Sequence, residues 1–171
     1  FRTVRQYATM RWCRNGLPEP DVPNGFAVRS FQVGQDEQRL TDIQNAAFGD
    51  SWGFSPNTVE EIETRAGFKS TTPEGIVFLM KGAKPIAYNW TVRPAGPGGS
   101  LGRIAMTGVH PDYRGRRLSR PTVVAGMRWL ISQGVEVIEL EMDAANAPAA
   151  KVYESLGFDK IADSVWYELQ I

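Results

Sequence analysis

The stretch that decides the fold is Val109-His-Pro-Asp-Tyr-Arg-Gly-Arg-Arg-Leu-Ser-Arg-Pro121. It follows an apolar run, Ile104 to Val109, that reads as a strand. It precedes a helical pattern from about Ser119 to Gln133. A strand that breaks through a Gly-containing basic turn into a helix is a way to hold an anion. The first helical turn has unpaired N–H groups and a partial positive charge, so a phosphate docks there on backbone alone. Arg114, Arg116, Arg117 and Arg120 add charge around it. A solvated surface loop has the same composition, so the flanking chain must decide between the two.

Downstream, Val135 to Asp143 alternates. Ile138, Leu140 and Met142 fall on one face, and Val137, Glu139, Glu141 and Asp143 on the other. A helix opens at Asn146-Ala-Pro148, with Pro where no N–H is missed, and ends at Gly157. A strand, a helix and a second strand in this order require 104–109 and 135–142 to run parallel. If these neighbours splay, they open a cleft at their C-terminal ends, where ligands of open α/β sheets sit.

Upstream, residues 13–25 hold three Pro and two Gly and read as a linker. Phe26 to Phe31 reads as a strand. Asp36 to Phe48 has the helical period, and Asp50 to Pro56 is a loop. Thr58-Val-Glu-Glu61 fits a capping box that starts a second helix. Ile76–Met80 and Ile86–Val92 flank Lys81-Gly-Ala-Lys-Pro85 as a hairpin, and a Gly/Pro-rich loop spans Arg93 to Ser100. The order from residue 26 is β-α-α-β-β-β-α-β-α-β.

The segment Ile104 to Phe158 resembles the second half of the GNAT superfamily of acetyl-CoA-dependent N-acetyltransferases. The likeness rests on Val109-x-Pro-x-Tyr-Arg-Gly115, on Asn146 and on Tyr153-Glu-Ser-Leu-Gly-Phe158. The family's pyrophosphate motif reads Arg/Gln-x-x-Gly-x-Gly/Ala, and here it reads Arg114-Gly115-Arg116-Arg117-Leu118-Ser119. Arg117 replaces the middle Gly and Ser119 the last Gly/Ala. If position 117 needs positive φ, Arg is strained there. The resemblance implies an α/β (α+β) GNAT fold for 26–171. Its mixed central sheet is flanked by helices, and the strands at 104–109 and 135–142 (fourth and fifth in the family's order) run parallel and splay.

The resemblance also implies the site. Acetyl-CoA, as co-substrate, would lie on the backbone of Gly115, Arg116, Arg117, Leu118, Ser119 and Arg120, with Arg114 beside it. It would run along Thr107, Gly108 and Val109 and end next to Asn146. Acyl transfer to an amine needs a base, an oxyanion donor and an acid for the departing thiolate. Tyr153 would be the acid, the alternative being an ordinary half-buried Tyr. Glu141 is the candidate base. Crowded by Glu139 and Asp143 it would gain basicity, unless these carboxylates only solvate the sheet or pair with basic residues. The oxyanion donor would be a backbone N–H near Val109. The strand carries Met106 and Thr107 where many family members place a base Glu. Trp52, Phe54, Tyr88 and Trp90 are candidate acceptor-site walls or plain core. Asp50, Glu60 and Glu61 either attract a cationic amine or belong to a loop and a helix start.

The chain has 171 residues, 42% apolar and 22% charged, ordinary for one α/β domain. Lys plus Arg equals Asp plus Glu at 19 each, which argues against a nucleic-acid binder. Cys13 is the only Cys and His110 the only His, so neither an intrachain disulfide nor a metal site is expected. The low Cys usage fits a reducing, cytoplasmic setting. No apolar run approaches the ~20 residues that cross a bilayer, and no secretory leader is visible. The sequence opens on Phe1 rather than Met, as a fragment or a processed product does. Residues 1–12 resemble the chain's own Phe158–Leu169. They read either as an ordinary N-terminal strand or as the closing strand of a preceding GNAT domain in a tandem protein. Two functions follow. One is an N-acyltransferase that moves an acetyl group to the primary amine of a small molecule or peptide by direct attack. The other is a degenerate GNAT domain that binds coenzyme A, or nothing, beside a tandem partner.

Overall fold

The computed structural model describes residues 2–13, 16–94 and 99–169. Phe1 and the middle of the Gly/Pro-rich loop, 95–98, lie outside the described residues, as do 14–15 and 170–171. The described elements are β1 (Arg2–Cys13), β2 (Ala27–Ser30), α1 (Glu37–Phe48), α2 (Val59–Ala66), β3 (Ile76–Lys81), β4 (Lys84–Val92), β5 (Leu101–Val109), α3 (Ser119–Ser132), β6 (Val137–Asp143), α4 (Ala147–Ser155) and β7 (Asp159–Glu168). From β2 onward the order is the one the periodicities predict, with boundaries moved by a few residues.

The strands form one sheet in the order β2-β3-β4-β5-β6-β1-β7. Among the described strands only β5 and β6 run parallel, as the α3 crossover requires. Their pairing stops at Ile104↔Leu140, although β5 continues to Val109 and β6 to Asp143. The predicted splay is therefore present.

Each face of the sheet is covered by a pair of helices. Ile138, Leu140 and Met142 pack with Val123, Val124, Met127 and Leu130 of α3, with Tyr153 of α4 and with Leu156 just after it. On the other face Phe78, Tyr88 and Trp90 pack with Leu40 and Ile43 of α1 and Ile62 of α2. The Thr58–Glu61 capping box is formed, with Thr58 N donating to Glu61 at 2.8 Å and Glu61 N to Thr58 Oγ1 at 3.2 Å.

β1 lies inside this chain's own sheet, antiparallel to both β6 and β7. Ala8, Met10 and Trp12 alternate into the core against Met142, Leu140 and Ile138. The likeness between residues 1–12 and 158–169 thus joins two strands that pair with each other. Cys13, the first residue of the linker-like stretch, is the last of β1, and residues 16–25 hold no regular strand or helix but are fastened down. Leu17 packs on the core, Arg128 Nε donates to the Pro18 carbonyl at 3.1 Å, and Arg128 pairs with Glu19.

One register break bears on the site. Trp90 pairs with Met106, but Thr91 pairs with Ile104, so Ala105 is an extra residue in β5. A bulge of this kind reverses which face the following side chains take. Ile104 packs on the α3 side, and Met106, two residues on, packs on the α1 side.

Candidate active site

The splay makes a cleft between Ala105–Val109 of β5 and Glu141–Asp143 of β6. The turn after β5 leads into α3. Gly115 sits at φ +77° and Arg117 at φ +57°, the one non-Gly residue among those described with positive φ. The position where the family motif has Gly therefore does need left-handed backbone, and Arg117 adopts it. Leu118 is buried and anchors the turn against Leu79, Ile86 and Ala87. The N–H groups of Gly115, Arg116, Arg117 and Leu118 donate to no other group among the described residues. Four successive free donors ahead of a 14-residue helix form an anion cradle.

The arginines divide in a way the sequence does not show. Arg114 is turned away from the cradle. Its Nη2 donates to the Ala47 carbonyl at 2.9 Å and its Nη1 lies 3.5 Å from Asp50, so it fastens the end of α1. This corrects the expectation of Arg114 as added charge for an anion, and it gives Asp50 an internal partner. The Arg116 guanidinium lies 5.6 Å from the Tyr113 ring centroid. Arg117 and Arg120 have no acidic partner among the described residues. His110 belongs to the turn: its Nδ1 accepts from Asp112 N at 3.3 Å.

Tyr153 is buried on α4, edge-on to Phe158 with ring centroids 5.5 Å apart. Burial raises its pKa above that of an ordinary tyrosine, and a hydrogen bond with the Thr107 side chain partly opposes the rise. The phenol therefore keeps its proton at neutral pH. Asn146 is the N-cap of α4, its Oδ1 accepting from Ala149 N at 3.2 Å.

Glu141 is the first residue of β6 beyond the last pairing with β5. It is exposed and without an ion pair among the described residues. Its neighbours on the same face are paired to arginines of β1. Arg11 reaches Glu139 at 2.6 Å, and Arg5 reaches Asp143 at 2.6 Å. The expected crowding of like charges is thereby cancelled, and Glu141 is the carboxylate left over. The signal in the sequence was the alternation of Arg5 and Arg11 with apolar residues, which matches Glu139 and Asp143 only once β1 is known to lie beside β6.

The aromatic candidates separate into two groups. Trp52 is 59% exposed, with the Arg5 guanidinium 5.5 Å from its ring centroid, so the α1–α2 loop reaches the carboxylate face of β6 and β1. Phe54 rests on Phe48. Tyr88 and Trp90 are not walls of an open site. They are covered by α1 and α2, at 0% and 4% exposure, because β4 is a central strand with a helix layer over each face. The carboxylate of Glu61 is used in the α2 capping box.

Comparison with known proteins agrees with this geometry. The model of the acetyltransferase (GNAT) family matches residues 37–158. Mycothiol acetyltransferase of Thermobispora bispora is 31% identical over 154 residues, which cover 88% of this chain and 52% of that protein. Mycothiol acetyltransferase of Actinosynnema mirum is 32% identical over 172 residues, covering 98% and 56%. The chain thus spans about half the length of the curated relatives it matches. Among solved structures, the GCN5-related N-acetyltransferase from Sphaerobacter thermophilus superposes with TM-score 0.83 at 23% identity, over 96% of this chain and 51% of that one. A tandem GNAT protein from the clavulanic acid biosynthesis pathway superposes with TM-score 0.70 at 17% identity, over 95% and 52%. These two show the fold. With its splayed strands, its donor-lined turn and the family model spanning α1 to the end of α4, the chain belongs to the GNAT acetyltransferase family.

Proposed function

We propose that this chain moves an acetyl group from acetyl-CoA to the primary amine of a small molecule by direct attack. The observation that carries the reading is a continuous path. Free N–H donors at Gly115 to Leu118 lead into the unpaired edge of β5, which ends opposite the protonated hydroxyl of Tyr153. The pyrophosphate fits the donor turn, with Ser119, Arg116, Arg117 and Arg120 around it. The thioester arm fits the stretch Thr107–Val109, next to Asn146. Acetyl-CoA supplies the activated acyl group. Glu141, or water beside it, takes the amine proton, a backbone N–H near Val109 faces the oxyanion, and Tyr153 protonates the departing sulfur. Trp52 stands at the acceptor side of the cleft. The mycothiol acetyltransferases among its relatives support a small-molecule acceptor. A place beside an upstream GNAT domain, and a cytoplasmic setting, remain part of the proposal.

One observation favours a second reading, that of a domain without turnover of its own: the strained Arg117 in the turn where the motif has Gly. Isothermal titration with acetyl-CoA separates the two. Micromolar binding, weakened at least tenfold by the negative charge of Ser119→Glu, is expected for the transferase. Absence of binding near millimolar cofactor would favour the second reading. Tyr153→Phe is expected to lower acetyl-CoA turnover by roughly a hundredfold, within the range of general acid catalysis. Unchanged turnover would remove Tyr153 from the acid role.

A further inference from the structure

The β3–β4 hairpin, Lys81-Gly-Ala-Lys84, gathers cations beside the turn that follows β5. Lys81 and Lys84 are cross-strand partners at its tip, and like charges set directly opposite one another destabilise a strand pair. Beyond Val109, His110 N donates to the Ile86 carbonyl at 2.8 Å and extends the β5–β4 ladder by one residue. This brings the His110 ring beside Lys84, with Lys84 Nζ 3.5 Å from Nε2. The other ring nitrogen, Nδ1, accepts from Asp112 N at 3.3 Å. A neutral imidazole has one N–H and one acceptor nitrogen, whereas an ammonium or a backbone N–H can only donate. If Nδ1 accepts, the Nε2 hydrogen faces the Lys84 ammonium. If Nε2 accepts, the Nδ1 hydrogen faces the Asp112 amide. The doubly protonated ring opposes donors on both sides. No state of His110 satisfies both contacts, and the shorter bond, at Asp112, puts the mismatch between Nε2 and Lys84. Among the described residues Lys81, Lys84 and Arg116 have no ion pair. Asp112 is the one carboxylate in reach of His110, and it lies at Nδ1, 3.7 Å away.

We propose that Lys84 Nζ and the Nε2–H of His110, with Lys81 opposite Lys84, form an anion site for a phosphate monoester. An oxygen about 2.8 Å from each of two nitrogens 3.5 Å apart closes a triangle, so one phosphate oxygen accepts from both. Its charge of roughly −1.5 to −2 also offsets the repulsion between Lys81 and Lys84. The site differs in kind from the donor turn, where backbone N–H groups face the ligand, because here side chains do. Tyr113 links the two. Lys81 Nζ lies 5.4 Å from its ring centroid and the Arg116 guanidinium 5.6 Å from it. One ligand offers a group to each site: coenzyme A carries a phosphate monoester on its ribose 3′ oxygen besides its pyrophosphate. That source rests on the cofactor reading above. The site itself rests on its donors, and free phosphate is its other source.

His110 is the only histidine of the chain, so its ring protons give a unique nuclear magnetic resonance signal. At fixed pH and ionic strength that signal should shift saturably with inorganic phosphate in the millimolar range, and chloride should not reproduce the shift. Lys84→Gln should weaken this binding about tenfold, and Lys84→Arg should keep most of it. Ser119→Glu, which places a negative charge at the donor turn, should leave it within about twofold. A shift that is absent, unchanged in Lys84→Gln, or lost in Ser119→Glu overturns the site. Calorimetry then separates the sources. Coenzyme A should bind about tenfold tighter than 3′-dephospho-coenzyme A, and Lys84→Gln should bring the two within about twofold. Equal affinities in the parent overturn the ribose 3′-phosphate as the source and leave free phosphate as the occupant. A chain that binds neither form of coenzyme A, yet shows the Lys84-dependent phosphate shift, overturns the cofactor reading and keeps the site.

Discussion

Arg117 holds φ at +57° in a turn where the rest of the family motif supplies glycine. A long unbranched side chain tolerates that conformation at a modest cost, whereas a β-branched one does not. Arg117→Val is therefore expected to lower stability by roughly 1–2 kcal/mol, and Arg117→Gly to be neutral or slightly stabilising. Urea midpoints of the two variants check this. Equal midpoints would mean that the turn relaxes and that its shape is not imposed by its surroundings. The turn itself was legible from the sequence, because Gly and Arg between a strand and a helix carry a local meaning. The partner of Arg114 was not. The Ala47 carbonyl lies on α1, 67 residues away, and nothing local in the sequence announces it. Tyr153 and Asn146 were readable by position in a motif.

At the level of elements, local chemistry announced the helices well, and tertiary demand altered the details. Asp36 was read as the start of α1. It does precede the helix, but its side chain makes no capping bond. It is fully buried and takes Arg29 at 2.5 and 2.9 Å, Gln32 N at 2.9 Å and Arg39 at 3.1 Å, joining β2 to α1. The Arg29 hydrogen bond, above all, holds the Asp36 carboxyl below its usual pKa, against the opposing effect of burial. A carboxylate whose folded pKa is depressed stabilises the fold above its unfolded pKa of ~3.9 and loses that contribution as pH falls through the folded value. The parent should accordingly lose stability below about pH 4, and Asp36→Asn should show a flatter profile there. At neutral pH the variant should be weaker by roughly 2–3 kcal/mol, discounted because Arg29 is partly exposed. Denaturant unfolding at stepped pH measures both. Parallel profiles for the two proteins would show that the pair does not set the acid limb. The Ala105 bulge belongs to this scale too. An alternating pattern predicts a regular strand, and only the pairing of β5 with β4 reveals the extra residue.

For the molecule as a whole, the splayed sheet with two helices on each face followed from the order of elements, since parallel strands joined by a helix leave few topologies. The slot of β1 did not follow. Its alternation said strand, but its partners lie at the other end of the chain, and linear spacing carries no record of that. Trp12, 1% exposed, is the largest side chain β1 contributes to the core. Trp12→Ala should cost roughly 3–5 kcal/mol, a large share of the ~5–15 kcal/mol of a domain of this kind. Urea unfolding followed by circular dichroism gives the number. A loss under about 1 kcal/mol would make β1 dispensable to the core.

The position of β1 also bears on how the chain is made. Its contacts with β6 span 124 to 138 residues, from the Cys13↔Val137 pair to the Arg5–Asp143 ion pair. At ~5–20 residues per second a ribosome needs roughly ten seconds to deliver those partners. Through that interval β1 lacks the partners it has in this sheet, β6 and β7, against which Met10 and Trp12 are packed. Contacts so distant in sequence also slow the folding of a released chain. Of the strands of this sheet, β1 thus leaves the ribosome ahead of both strands it pairs with, and it is among the last to be paired within the sheet.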